Sequence, residues 1–286
     1  MKNILVLDGI SKQNGEFNLN NISFKLPKGK IMGLVGANGS GKTTIIKIIL
    51  NMIEKDKGEI EILGKSMRVN DLEIKSKVGV VFDSNYFLDE WTSNDVEKAV
   101  GMFYKSWDNK KFKEYIHRFK LDKKKKVKEL SKGMQMKLML ACALSYNAQL
   151  LILDEPTSGL DPVSREELLE ILLKYVEDGE HSVLFSTHIT SDLEKIADCI
   201  TYLNNGQLIY TGDKKILMDS FKIVKGKIEN LSLELEKKII GIRRSDMNFK
   251  GLINIQDIIE LPELIFEEVS INDIIVYNNK GEYDKC

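Results

Sequence analysis

Two apolar patterns alternate along the chain. Ile22-Ser-Phe-Lys-Leu26 and Gly58-Glu-Ile-Glu-Ile-Leu-Gly64 place apolar side chains at every second position, the period of a strand with one face in a core and one in water. Residues 3–10 and 17–26 read as two such strands, with Asn14-Gly15 as the turn signal between them. Ile31-Met-Gly-Leu-Val35, Val78-Gly-Val-Val-Phe82, Leu150-Leu-Ile-Leu153 and Ser182-Val-Leu-Phe-Ser186 are instead short, nearly continuous apolar runs, as strands covered on both faces require. Ile200-Thr-Tyr-Leu203 and Gln207-Leu-Ile-Tyr210 form a predicted hairpin through Asn205-Gly206.

Helical spacing fills the intervals. Ile45–Leu50 follows the first buried strand, and residues 95–105, 109–120 and 132–146 read as helices with few strand signals between them. Asp161-Pro162 opens another helix, with Asp as N-cap, Pro in the first turn, and Leu168, Leu169, Leu172 and Val176 on one face. Ser191-Asp-Leu-Glu194 has the spacing of a capping box. These elements predict an α/β protein: a core of buried strands, an antiparallel β subdomain at the start, a helical insertion at about 84–146, and a small C-terminal α+β extension. The boundary falls near Ser220, which gives domains 1–220 and 221–286. Leu231-Ser-Leu-Glu-Leu235 alternates within the extension, and Ser270 is placed to cap a short last helix.

The first buried strand leads into Gly36-Ala-Asn38-Gly39-Ser40-Gly41-Lys42-Thr43-Thr44, which matches G-x-x-x-x-G-K-[ST] between a strand and a helix. Three glycines let backbone N–H groups turn onto phosphate oxygens that side chains would otherwise block. The helix that starts near Lys42 aims its positive dipole end at the same anion. Lys42 has the reach for terminal phosphates, and the Thr43 hydroxyl is a hard oxygen donor for Mg²⁺. The strand at 150–153 ends in Asp154-Glu155, two acids that suit a metal-side carboxylate and a general base acting on water. Taken alone, the pair is equally well read as acids capping a strand end.

Composition narrows the setting. A chain of 286 residues, 43% hydrophobic, can bury a full core. Its net charge of −1 supplies no global basic field, so no nucleic-acid partner is expected. The solitary basic run Lys123–Lys126 reads as a solvated connector. Cys142, Cys199 and Cys286 lack metal-type spacing and suit a reducing compartment. Asp8 comes too early for a secretory signal, and no apolar run approaches the roughly 18–20 residues of a membrane span. The expectation is a cytoplasmic protein whose membrane partner, if it has one, is another polypeptide.

Leu130-Ser131-Lys132-Gly133-Met134 puts a serine at a helix start, with Gly133 allowing close approach, which is again an anion site. This stretch is similar to the Leu-Ser-Gly-Gly-Gln signature of the ATP-binding cassette (ABC) ATPases. The resemblance runs over about residues 1–220 in the family's order: phosphate loop, helical insertion, signature, acidic strand, Ser158-Gly-Leu-Asp161, then Ser186-Thr-His188. It implies a P-loop NTPase core that binds and hydrolyses ATP with Mg²⁺. By the same resemblance, Gly36, Asn38, Gly39, Ser40, Gly41, Lys42, Thr43 and Thr44 hold the nucleotide, and Thr43, Asp83 and Asp154 lie on the metal side. Glu155 is the base and His188 the switch histidine at the γ-phosphate. Ser131 and Gly133 serve the nucleotide of a second protomer, and Asp161 communicates between protomers. His188 without this context reads as an ordinary strand-end histidine.

The chain departs from the family pattern at three places. Asp83 stands where a glutamine is usual; Lys132 and Met134 replace a glycine and the glutamine of the signature; and Gln13 and Asn14 stand where an adenine-stacking ring is expected. Phe17 is the nearest ring, and its alternation suits either base stacking or the core. The resemblance further implies a homodimer or heterodimer of nucleotide-binding subunits, docked on transmembrane permease subunits at the inner face of the membrane. That assembly powers export of a drug, peptide or lipid. Trp91 and Tyr86-Phe-Leu88 either mark a groove for the permease or fill the helical core. The competing function is a soluble ABC-type ATPase of translation or DNA repair. A GTP switch is disfavoured by the lack of an Asn-Lys-x-Asp motif.

Overall fold

The computed structural model describes residues 2–67, 71–258 and 262–283. The chain divides into two compact units, Met1–His188 with Thr201–Thr211, and Ile189–Ile200 with Gly212–Cys286.

In the first unit, β1 (Asn3–Asn14) pairs antiparallel with β2 (Phe17–Pro27) across a turn at Gly15 and, on its other side, with β4 (Lys57–Ile62). The two-residue β5 (Lys65–Ser66) completes a sheet of order β2-β1-β4-β5. The second sheet has the order β10-β9-β3-β8-β7-β6. Its centre is β3 (Ile31–Val35), β8 (Ser182–Thr187), β7 (Leu150–Asp154) and β6 (Val78–Val81), all parallel. Every side chain of β3, β7 and β8 is buried, as their continuous apolar runs predict. Register pairs Val35 with Thr187 and Asp154 with Ser186, so the carboxyl ends of three adjacent strands finish level with one another. In an open parallel sheet that edge is where ligands bind.

At one edge of this sheet, β9 (Cys199–Asn204) and β10 (Gln207–Asp213) meet at Asn205 and Gly206, both left-handed with φ of 44° and 74°, the geometry of a tight hairpin turn. Gly206 N–H donates to the Ser40 carbonyl at 3.2 Å, and Asn20 N–H donates to the Gly206 carbonyl at 2.9 Å. A Cβ at position 206 would lie 1.9 Å from the Asn18 carbonyl oxygen, so only glycine allows this approach.

α1 (Lys42–Ile49) follows β3, and the short α2 (Asp71–Lys75) precedes β6. The insertion then supplies α3 (Ser93–Gly101), α4 (Asn109–Arg118) and α5 (Lys132–Leu144), before α6 (Pro162–Val176) follows β7. α3 starts two residues before the predicted 95, because Thr92 and Asp95 cap it reciprocally, and ends at Gly101 rather than 105. Phe112 and Ile116 of α4 are buried within the insertion, along with most of α5 from Met136 to Leu144.

In the second unit, α7 (Thr190–Ile196) opens one residue before Ser191, after an extended Ile189 whose side chain caps nothing. The predicted capping box at Ser191 is therefore not the start of this helix. α8 (Lys214–Asp219) is capped by Asp213. β11 (Phe221–Lys227), α9 (Leu233–Lys238), β12 (Ile239–Arg244), β13 (Asn248–Asn254) and β14 (Ile265–Glu267) follow, and the strands form an antiparallel sheet of order β12-β13-β11-β14. Val224, Leu235, Phe249 and Ile253 are among the residues of its core. Ser270 and Asp273 cap α10 (Ile271–Tyr283) reciprocally, and Ile271 N–H donates to Glu194 Oε1 of α7 at 2.8 Å. The C-terminal region is α+β, as the sequence predicts.

Candidate active site

The loop between β3 and α1 is shaped by two glycines in particular. A Cβ on Gly36 would fall 2.4 Å from both the Leu203 carbonyl oxygen and Ser40 Oγ. Gly41, at the N-cap of α1, has φ of 107°, and a Cβ there would run into Leu19 at 2.6 Å and Phe17 at 2.9 Å. Lys42 is only 6% exposed, and its Nζ donates to the Gly36 and Ala37 carbonyls at 2.8 and 3.3 Å. The ammonium is thus held across the mouth of the loop.

Directly beyond β7, Glu155 has φ of 51°, a left-handed conformation uncommon for a non-glycine residue. The turn swings its carboxylate between two cations or potential cations. Oε1 lies 3.4 Å from Lys42 Nζ, and Oε2 lies 2.7 Å from His188 Nδ1. His188 N–H also donates to Oε2, at 3.3 Å. Behind this arrangement Ser186 Oγ donates to Asp154 Oδ1 at 2.6 Å and accepts from Glu155 N–H at 3.1 Å. Asp154 is 1% exposed, so this hydroxyl gives a buried carboxylate a hydrogen bond where water has little access.

These groups face a cleft of about 590 Å³. The structure brings Asn38, Gly39, Gly41, Lys42, Thr43, Thr44, Asp83, Glu155 and His188 to its wall. Gly36, Ser40 and Asp154 lie behind it. Phe17 lines the cleft, as does Lys132 at the unusual signature position. Two further lining residues, Asn14 and Ser158, and the brace Ser186 fall within the stretches that carry the family resemblance but are given no site role by it. Ser158 is legible as part of Ser158-Gly-Leu-Asp161, and Asn14 as a position where the resemblance expects an adenine-stacking ring.

Ser131, Gly133 and Asp161 are not on this wall. The exposed Ser131 caps α5, its Oγ accepting from Met134 N–H at 3.3 Å, and a Cβ on Gly133 would come within 3.0 Å of Leu160 Cδ2. Asp161 caps α6, accepting from the Val163 and Ser164 amides at 3.1 and 3.0 Å. Hydrogen bonds from the side chain and backbone of Ser164 hold its carboxyl below the usual range. Among the described residues, no cluster of three or more His, Cys, Asp or Glu side chains is placed to hold a metal by itself.

A lysine-bearing phosphate loop, a strand-end acid and a histidine on adjoining strands of a parallel sheet define a P-loop nucleoside triphosphatase. The family model described as ABC transporter matches residues 19–158. The bacitracin transport ATP-binding protein BcrA of Enterococcus faecalis is 33% identical over 215 residues, covering 73% of this chain and 69% of the relative. The lantibiotic transport ATP-binding protein SrtF of Streptococcus pyogenes is 32% identical over 209 residues, covering 72% and 89%. A solved structure titled as the ATP-binding subunit of an ABC transporter superposes with a TM-score of 0.69 at 26% identity, covering 75% of this chain and 91% of that one. The chain belongs to the ABC transporter ATP-binding proteins. It is an ATP-binding subunit with the ATPase cassette of that family.

Proposed function

We propose that this chain hydrolyses ATP in the cleft to drive export of a drug, peptide or lipid by a separate transmembrane permease. The observation that carries the chemistry is Glu155, one carboxylate held between Lys42 and His188. ATP lays its phosphates along Gly39–Thr44, where glycine backbone, helix dipole and Lys42 meet the charge. Glu155 takes the proton from the attacking water, and His188 fixes the orientation of that carboxylate. Thr43 and Asp83 both line the cleft and are hard oxygen donors, which fits a Mg²⁺ that arrives with the phosphates. Asp154, buried and bonded to Ser186, suits a ligand to a metal-bound water. When bound, Mg²⁺ neutralises charge building on the phosphoryl oxygens.

Ser131, Gly133 and Asp161 are not among the residues that line their own cleft, which supports their use across a homodimer or heterodimer. Exposed side chains on the insertion support permease docking: Tyr86 is 50% and Leu88 60% exposed, whereas Phe87 is buried. The peptide antibiotics in the names of BcrA and SrtF support a peptide cargo. No helix among the described residues is long and apolar enough to cross a membrane. The functional division we propose is a nucleotide-binding domain over 1–220 and an accessory region over 221–286, a split supported by the 209–215 residues over which BcrA and SrtF align.

The test is Glu155→Gln. Hydrolysis falls by about 10²–10⁴-fold while ATP still binds, and a nucleotide-bound dimer accumulates. Steady turnover by the variant would remove Glu155 from its role. Co-purification with a multi-span membrane protein tests the transport reading.

A further inference from the structure

The insertion, residues 84–146, carries fourteen lysines and arginines against eight aspartates and glutamates, in a chain whose net charge is −1. Part of that excess is used internally. Lys126 and Lys128 both bond to Glu90, and Arg118 and Lys137 approach Glu167 at 3.8 and 3.1 Å. Five others, Lys98, Lys105, Lys110, Lys111 and Lys113, lie around the end of α3 and the start of α4 and are all exposed, with Lys110 4.0 Å from Glu114.

Two large apolar side chains stand in the same place. Met102 and Phe103, adjacent at the end of α3, are 81% and 82% exposed. Lys98, Met102, Trp107 and Lys113 line one shallow depression, whose single carboxylate is Glu97, 3.8 Å from Lys113 Nζ. Trp107 is half-buried, its ring against Gly101, where a Cβ would come within 3.1 Å, and its Nε1–H donates to Asn109 Oδ1 at 2.9 Å.

This combination has a definite chemical complement. Methionine and phenylalanine projecting together are poorly suited to water, and long lysine side chains around them extend their ammonium groups past the apolar tip. An anionic bilayer surface satisfies both, with headgroups for the lysines and the acyl boundary for Met102 and Phe103. We infer that the end of α3 is a contact surface for an anionic lipid bilayer. The inference stands apart from the choice of permease, since it requires no other protein.

The full chain alone is mixed with vesicles of phosphatidylcholine, with and without phosphatidylglycerol, and the bound fraction is measured by sedimentation. Binding favours the anionic vesicles and weakens in high salt. Lys98→Glu lowers it by about fivefold or more, and the double variant Met102→Ser with Phe103→Ser lowers it comparably. ATP hydrolysis by both variants stays at the parent level, which separates this result from failure of the cleft assignment. Equal binding to neutral and anionic vesicles overturns the inference. So does parent-like binding by both variants, including the case where they lose a membrane-protein partner instead.

Discussion

His188 Nδ1 lies 2.7 Å from Glu155 Oε2, and the other oxygen of that carboxylate faces Lys42 Nζ at 3.4 Å. One side chain therefore joins the end of β8 to the phosphate loop. Replacing His188 with alanine frees a carboxylate whose position matters to the attacking water. We expect kcat to fall by about 100-fold, with KM moving far less, since small misplacement of a reacting group costs on that order. Steady-state kinetics on the purified variant check this, and the fall should be smaller than for Glu155→Gln.

Ser186→Ala tests the brace behind the acid pair. The change removes the 2.6 Å donor to Asp154 and leaves a 1% exposed carboxylate short of a partner. The expected loss is about 1–3 kcal/mol of stability. Urea unfolding measures it, read beside an exposed-serine control such as Ser66→Ala.

Gly41→Ala combines two penalties, φ of 107° and contacts of 2.6 and 2.9 Å with Leu19 and Phe17. The left-handed backbone alone costs about 1–3 kcal/mol for a side-chain-bearing residue. A lowered melting temperature and weakened binding of a fluorescent ATP analogue are expected together. Loss of binding at unchanged Tm would mean that the loop shifts without strain.

Glu90 offers a pH test. Lys126 and Lys128 hold its carboxyl down to about 2. Because the folded value is depressed, the contribution to stability is present above the unfolded value near 4.5 and is lost as pH falls towards 2. Glu90→Gln should flatten that part of the stability profile while leaving neutral-pH hydrolysis unchanged. Thermal unfolding between pH 5 and 2 checks it.

Those predictions rest on features of unequal visibility in the sequence. The phosphate loop and Asp154-Glu155 are readable because their chemistry lies in contiguous residues between apolar runs, and burial of those runs aligns the strand ends. What brings Glu155 to Lys42 is a left-handed φ of 51°, which no residue pattern announces. Ser186 was visible as a strand residue, but its bond to Asp154 depends on the β7–β8 register, a tertiary fact. The cap at Ser191 misled because its spacing suits a helix start, whereas α7 opens at Thr190. Thr92 and Asp95 show the converse, a real reciprocal cap two residues before the apolar period suggested one. Asn14 reaches the cleft because β1 continues to it, past the residue 10 expected from alternation.

The hydrogen bonds of Gly206 carry one further consequence. The hairpin turn holds the Ser40 carbonyl from one side and is itself held by Asn20 from the other. The phosphate loop is thus splinted by backbone from two separate parts of the sheet system. Ordering entropy for this segment is spent during folding, so an arriving nucleotide meets amides already fixed in direction and loses little affinity to arranging them.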